Sequence, residues 1–377
     1  MKFLILMLLF FLSFSVFSQV IPAAELTNEY FAIIKGKNIG VVANQTSLIG
    51  NTHLIDSLIS SGICVKKIFC PEHGFRGNAD AGENIQTSKD SKTGLPIISL
   101  YGKNKKPYPA DLQGLDIVIF DIQDVGVRYY TYISTLHYVM EACAENNILL
   151  LILDRPNPNA YYIDGPVLKN DFHSFVGMHQ VPLVYGMTIA EYAQMINGEG
   201  WLSKKIACNM QIVKCKNYTH LTKYSLPVKP SPNLPNMQSV YLYPSLGLFE
   251  GTCVSVGRGT PYPFQVIGNP FLDSTLFYFI PKSAIGAKNP MYQNKKCFGF
   301  DLRNSLDTVF TLKYIIKMYN LSSNKEAFFN PFFQKLIGTD EIIPLIKAGK
   351  TEAQIKATWQ VDLNKFKGIR KKYLLYP

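Results

Sequence analysis

Ile117-Val118-Ile119-Phe120-Asp121-Ile122-Gln123-Asp124-Val125-Gly126-Val127-Arg128-Tyr129-Tyr130 is the stretch that decides the fold. Its first four residues are all apolar, which suits a short strand buried on both faces. The run then breaks into acids, a glycine and an arginine, and these do not continue such a strand. The same grammar recurs upstream. Asn38 to Val42 leads into Ala43-Asn44-Gln45-Thr46, and Val65-Lys66-Lys67-Ile68-Phe69 leads into Cys70-Pro71-Glu72-His73-Gly74-Phe75-Arg76-Gly77, with Gly82-Glu83 behind. Pro96 to Leu100 is another short run. Downstream, Ile148 to Leu153 leads into Asp154-Arg155-Pro156-Asn157-Pro158-Asn159. Between these runs, Leu54, Ile55, Leu58 and Ile59, then Leu136, Val139, Met140 and Cys143, recur at helical spacing. Apolar strand, polar loop and amphipathic helix in alternation predict an α/β fold, a parallel sheet with helices on its faces.

In such a fold the functional loops gather at the carboxyl ends of the strands. The loops after Phe69, Phe120 and Leu153 are then neighbours. Side by side they bring Glu72, His73, Arg76, Asp121, Asp124, Arg128, Asp154 and Arg155 to one rim. A dinucleotide enzyme needs a glycine-rich turn after the first strand, and Ala43-Asn44-Gln45-Thr46 is not one.

Beyond residue 160 the pattern is weaker. Thr188-Ile189-Ala190-Glu191 is a capping box that opens a helix to about Gly198. Residues 227–236 are Pro-dense and form no regular element. Glu250 to Thr260 reads as a strand ending in a Gly-Arg-Gly turn. A second region begins at about 261, with a helix over Leu306 to Tyr319 and two shorter ones near 331–347. The domains are therefore set at 1–18, 19–260 and 261–377.

Residues 1–18 read as a signal peptide. A basic start, Met1-Lys2, precedes an apolar run from Phe3 to Phe17, and Val16-Phe17-Ser18 places small residues before a cut at Gln19. The run is short for a membrane span and no Cys follows it, so the mature chain is expected to be periplasmic or secreted, with no stable membrane anchor. The 377 residues are 47% hydrophobic and 17% charged, as for a globular protein with a full core. The net charge of +11 draws anionic partners. Export argues against nucleic acid and favours an anionic cell-wall glycan. With 22 Tyr and 24 Phe, aromatic residues either fill cores or stack on sugar rings, and packing is the simpler reading. The 7 Cys include no CxxC or tight metal spacing, and the histidines are scattered without HExxH or HxH, so no metal site is expected.

Glu72 leads as a proton-transfer group, since a carboxyl in a crowded cleft suits general acid work. A loop salt bridge to Arg76 is the plainer alternative. Glycoside hydrolysis usually needs a second carboxylate. Glu83 and Asp124 compete for that role, each with an ordinary loop function as its alternative. Asp121 and Asp154 are orienting groups or loop caps. His73 bonds a substrate hydroxyl or holds Glu72. Arg128 and Arg258, in Gly-flanked loops, fork onto a substrate carboxylate or pair with Asp124 or Glu250. Asn44, Tyr130 and Arg76 complete the expected binding set. No GxSxG elbow supports serine hydrolysis.

These pieces, taken in order, resemble one family, the exo-β-N-acetylmuramidases. The resemblance rests on Gly40–Thr46, Pro71–Gly77, Ala81-Gly82-Glu83, Phe120–Tyr132, Leu153–Pro158, Pro230–Pro235, Glu250-Gly251-Thr252, Gly257–Thr260 and the end from Arg370 to Pro377. It implies a Rossmann-like N-terminal domain, a smaller C-terminal α/β domain and a cleft between them. It implies release of N-acetylmuramic acid from non-reducing ends of peptidoglycan-derived muropeptides or disaccharides, without metal or organic cofactor, and it puts the catalytic carboxyl on Glu72. A stem-peptide amidase and a non-catalytic glycan-binding protein are the rival readings.

Overall fold

The structure is a computed structural model and describes residues 19–72, 75 and 88–377. The proposed signal peptide, His73, Arg76 and Glu83 lie outside the described residues. Six parallel strands are β1 (Asn38–Ala43), β2 (Cys64–Cys70), β3 (Pro96–Ser99), β4 (Ile117–Asp121), β5 (Leu149–Leu153) and β6 (Met210–Val213). They stand in the order β3-β2-β1-β4-β5-β6. A two-residue strand, Ser88–Lys89, joins the β3 edge antiparallel and makes a seven-stranded sheet. This is the doubly wound, Rossmann-like order, in which ligands settle outside the carboxyl ends where the order reverses, here between β1 and β4.

All five residues of β4 are buried, the four of its apolar run and Asp121 at its end. Val118 and Phe120 enter one hydrophobic cluster, while Ile117 and Ile119 enter another. β5 splits alike, Leu150 and Ile152 against Leu151 and Leu153. Alternation of side chains about a strand produces this division, so the sheet must be covered twice. Helices α1 (Thr27–Ile34) and α2 (Leu54–Ser60) cover one face through Tyr30, Ile34, Leu54, Ile55 and Leu58. Helices α3 (Tyr132–Glu145) and α4 (Ile189–Gly198) cover the other through Leu136, Met140, Tyr192 and Ile196. Truncating a ring such as Phe120 to Ala costs about 3–5 kcal/mol in such a core. The expected capping box opens α4: Thr188 Oγ1 accepts from Glu191 N–H at 3.3 Å and Glu191 Oε2 from Thr188 N–H at 2.9 Å.

The rest of the chain is built around α5 (Met237–Leu246), capped by Asn236 at the end of the Pro-dense loop. The strand expected over Glu250 to Thr260 is not formed. Gly247–Gly251 is a 3-10 turn, and Thr252 and Ser255 make only isolated bridges to Phe329 and Gly268. Gly257 and Gly259, at φ +75° and +78°, bend the backbone out of any ladder. An antiparallel sheet unread in the sequence follows, β7 (Val266–Asn269), β8 (Phe277–Phe279) and β9 (Cys297–Asp301), with β9 in the middle. Helix α6 spans Lys313–Leu321, starting later than its periodicity predicts, because Asp307 and Ser305 hold a turn through Lys313 and Tyr314. α7 (Phe332–Ile337), α8 (Ile342–Lys347), α9 (Glu352–Ala357) and α10 (Gln360–Arg370) complete the chain. The cluster holding Phe120 also holds Phe333, Trp359 and Phe366, so this region shares the sheet's core. All seven cysteines are free thiols. Among the described residues, no helix is long and apolar enough to cross a membrane, and no cluster of His, Cys, Asp or Glu is arranged to hold a metal.

Candidate active site

β2 ends at Cys70, and Pro71, which lacks an N–H, turns the chain so that Glu72 sits just beyond the strand's carboxyl end. Glu72 lines a cavity of about 510 Å³. Thr131, at the N-cap of α3, donates its hydroxyl to Glu72 Oε2 at 3.0 Å. Tyr129 and Tyr130, from the loop between β4 and α3, wall the same space, with Tyr101 and Phe175 beside them. The facing wall comes from the later chain: Glu250, Arg258, Phe264 and residues 286–291, with Ser231 and Asn233 from the Pro-dense loop.

The tyrosines are fixed rather than free to swing. Tyr130 donates to the Pro230 carbonyl at 2.8 Å, and Tyr129 points at the Tyr243 and Pro244 carbonyls at 2.8 and 2.9 Å. Tyr243 packs edge-on against Tyr129, Tyr130 and Phe264. Burial raises the hydroxyl pKa of Tyr129, Tyr130 and Tyr243 well above the ordinary value, so these groups stay neutral donors. Arg258 lays its guanidinium over Phe264 at 5.0 Å and forks onto Glu250 Oε1, at 2.7 Å from Nε and 2.6 Å from Nη2. Burial works against the Arg258 charge, but the Glu250 carboxylate, helped by Tyr243 and Glu72, holds its pKa above the ordinary value. Its Nη1 is buried without a hydrogen-bond partner.

Of the expected catalytic and binding residues, the structure brings Glu72, Tyr130 and Arg258 together around this cavity. Four others are corrected. Arg128 is fully buried and turned to the backbone: Nη1 donates to the Pro166 and Val181 carbonyls at 2.8 Å each, and Nη2 to Ile337 at 2.7 Å and Leu336 at 3.1 Å. Asp121 is buried in a two-pronged ion pair with Arg155, at 2.6 and 2.9 Å. Asp154 accepts from Ala190 N–H at 3.0 Å and Tyr376 O–H at 2.6 Å, fastening the chain's end to the sheet. Asn44 is buried and closes its own loop, accepting from Thr46 N–H at 2.9 Å and donating to Tyr132 at 2.9 Å. Each sits where a strand end needs backbone groups satisfied, and that need is met before any ligand arrives.

Asp124 is also buried and outside the cavity lining. One carboxyl oxygen accepts from Tyr185 O–H and from Gly126 N–H, while the other is unpartnered. Burial pushes its pKa up to about 6. Sequence reasoning missed Glu250 as a cavity residue, although Glu250-Gly251-Thr252 stood among the family-like pieces. Thr131 stood only within the family-like piece Phe120–Tyr132, and Tyr243 was missed entirely, because nothing local marks a threonine or tyrosine that folding carries to this cavity.

A strand-end carboxyl and a second carboxylate lining one cavity walled by fixed aromatic rings, on an α/β scaffold, describe a glycosidase. The particular kind follows from the whole chain, which belongs to the exo-β-N-acetylmuramidase NamZ family. Residues 39–238 match the N-terminal part of that family and 241–376 its C-terminal part. The chain is 39% identical to the peptidoglycan β-N-acetylmuramidase NamZ of Bacillus subtilis, over 92% of this chain and 89% of that protein. Two crystal structures of DUF1343 family proteins from Bacteroides fragilis share the fold. One is 48% identical with a TM-score of 0.89, the other 27% identical with a TM-score of 0.80, and each match covers 95% of this chain and 99% of the other.

Proposed function

We propose that this chain removes single N-acetylmuramic acid units from the non-reducing ends of peptidoglycan fragments such as MurNAc-GlcNAc, in cell-wall turnover or recycling. Glu72 gives its proton to the glycosidic oxygen as the bond to the anomeric carbon breaks. Water adds its hydroxide to that carbon and its proton restores Glu72. Thr131 orients the carboxyl, and the Glu250–Arg258 pair faces it. Glu83 or Glu250 assists water attack or the developing positive charge. Arg258 takes the lactyl carboxylate through its unpartnered Nη1; Arg128, the other candidate, is committed to four carbonyls.

One observation carries the reading: Glu72 lines the cavity and is held there by Thr131, in a chain of this family. Glu72→Gln keeps the shape and removes the transferable proton. Release of N-acetylmuramic acid from peptide-free MurNAc-GlcNAc is expected to fall by roughly 10²–10⁴ with the circular dichroism spectrum unchanged. Unaltered release refutes the acid role. Because this substrate has no peptide, any turnover also separates a glycosidase from an amidase or a mere glycan binder. We further place the enzyme outside the cytoplasm, on the strength of the Met1–Ser18 leader. N-terminal sequencing of mature protein beginning at Gln19 tests that.

A further inference from the structure

Helix α3 carries polar side chains away from Glu72 in a single stripe. Ser134, His137, Tyr138, Glu141 and Glu145 recur at three- and four-residue spacing, starting one turn beyond Thr131. Ser134 Oγ donates to the Phe175 carbonyl at 2.7 Å and so lays the segment around residue 175 along this stripe. Phe175 lines the cavity of Glu72, and its ring lies parallel to that of Tyr138 at 6.3 Å. Tyr138 in turn lines a second cavity of about 540 Å³, together with Trp201, His137, Glu141, Asn170 and Gln180. At 1.5 Å of rise per residue, Glu141 stands roughly 15 Å along the helix from Thr131. One sugar ring does not bridge that length; a chain does.

The charged groups of this second cavity are engaged with one another. Lys106 Nζ sits 2.6 Å from Glu141 and 2.7 Å from Glu145, and the Ser203 N–H donates to the other Glu141 oxygen at 2.8 Å. His137 Nδ1 and His179 Nε2 share a proton at 2.9 Å. Burial pushes the His137 pKa down to about 4 and that of His179 well below its ordinary value, so both rings are neutral at pH 7. What remains for a ligand is an indole, a phenol, the exposed His173 imidazole and two carboxamides, of which Gln180 donates to Asn170 at 2.7 Å. Such groups bind the ring faces, hydroxyls and acetamido groups of a sugar chain.

We infer that this cavity is a distal subsite for the saccharide chain on the leaving-group side, joined to the Glu72 cavity by the Phe175–Tyr138 step. The inference rests on the proposed exo-glycosidase reading. The test uses peptide-free alternating glycan oligomers of two and four sugars, with release of N-acetylmuramic acid as the readout. For the wild type, kcat/KM is expected to be roughly tenfold higher on the tetrasaccharide, the effect of about 1.4 kcal/mol of extra binding. In Trp201→Ala, and in the double variant Asn170→Ala with Gln180→Ala, that ratio falls to about one, while the disaccharide value stays within about twofold. Asn170 and Gln180 are exposed, so the double variant leaves the core intact even if loss of Trp201 disturbs His179. A wild-type ratio of one, or a ratio unchanged in both variants, overturns the subsite. A gain seen only with a peptide-bearing disaccharide, and lost in the variants, overturns the saccharide assignment. No release from either oligomer overturns the proposed function itself and the subsite with it.

Discussion

Thr131 Oγ1 stands 3.0 Å from Glu72 Oε2, so the first turn of α3 holds the carboxyl that ends β2. The two residues are far apart in sequence, and only the adjacency of β1, β2 and β4 brings them together. A hydrogen bond to a charged group is worth about 1.5–3 kcal/mol. Thr131→Val is therefore expected to lower kcat by roughly tenfold to a hundredfold, with KM nearly unchanged. Thr131→Ser, which keeps the hydroxyl, should restore most of the rate. Equal losses in both variants, or a loss carried by KM alone, point to packing rather than positioning.

Arg258 meets Glu250 with two nitrogens and leaves the third buried and unpartnered. If that nitrogen takes the lactyl carboxylate, Arg258→Met should cost roughly a hundredfold in kcat/KM on a MurNAc glycoside. It should cost far less on the matching GlcNAc glycoside, which has no lactyl group. The ratio of the two substrates is the readout. Equal losses on both assign Arg258 to holding Glu250 instead.

Arg128 is a strut. Its guanidinium ties Pro166 and Val181 to Leu336 and Ile337 at the end of α7. Burial lowers its pKa to about 10, still well above neutrality, so it remains charged. Arg128→Met strands those carbonyls away from water and should destabilise the fold by at least about 3 kcal/mol, read as a fall in the urea midpoint. Gly338 makes an independent check. It sits at φ +83°, and a Cβ there would meet Arg128 Nη2 at 2.4 Å. Gly338→Ala should therefore destabilise through both strain and the same contact. A midpoint unmoved in both variants removes the strut.

What the sequence revealed and what it hid have physical reasons. Ile117–Phe120 and Leu149–Leu153 were legible because the body of a doubly buried strand is an unbroken apolar run, and the Thr188–Glu191 capping box was legible because it is local chemistry. β6 was not: at the sheet's edge Met210 and Ile212 are only partly buried and Gln211 is exposed, so no apolar run marks them. In the small antiparallel sheet Phe277 and Tyr278 are exposed, and the fully buried Val266–Asn269 is cut short as an apolar run by Gly268 and Asn269. At the site, position relative to a strand end predicted Glu72 at the cavity but misplaced Asp121, Asp154 and Arg128. Strand ends attract charged residues for two purposes, closing loops and meeting ligands, and sequence does not separate them. Arg155 is what diverts Asp121, and Tyr376, some 220 residues distant by sequence, is what diverts Asp154.

Asp154 gives the last prediction, a dependence of stability on pH. Burial pushes its carboxyl up to about 7, against the pull of Tyr376 and Ala190, whose hydrogen bonds favour the charged form. The unfolded chain releases this proton near pH 4. Between about pH 4 and pH 7 the folded state thus binds more protons than the unfolded one, and stability falls as pH rises through that window. Three units correspond to about 4 kcal/mol in order of magnitude. Asp154→Asn keeps an acceptor for Ala190 and a polar partner for Tyr376 but carries no proton to lose. Its stability should fall less, or rise more, than the wild type's between pH 4.5 and pH 7.5, read as the difference between the two Tm profiles. Asp124, raised to about 6 by burial, adds to the decline in both proteins, while His137 and His179, lowered by burial, oppose it in both, so only the difference between the two profiles reports Asp154. Matching slopes in the two proteins would mean that Asp154 is already ionised at low pH, with Tyr376 and Ala190 outweighing burial.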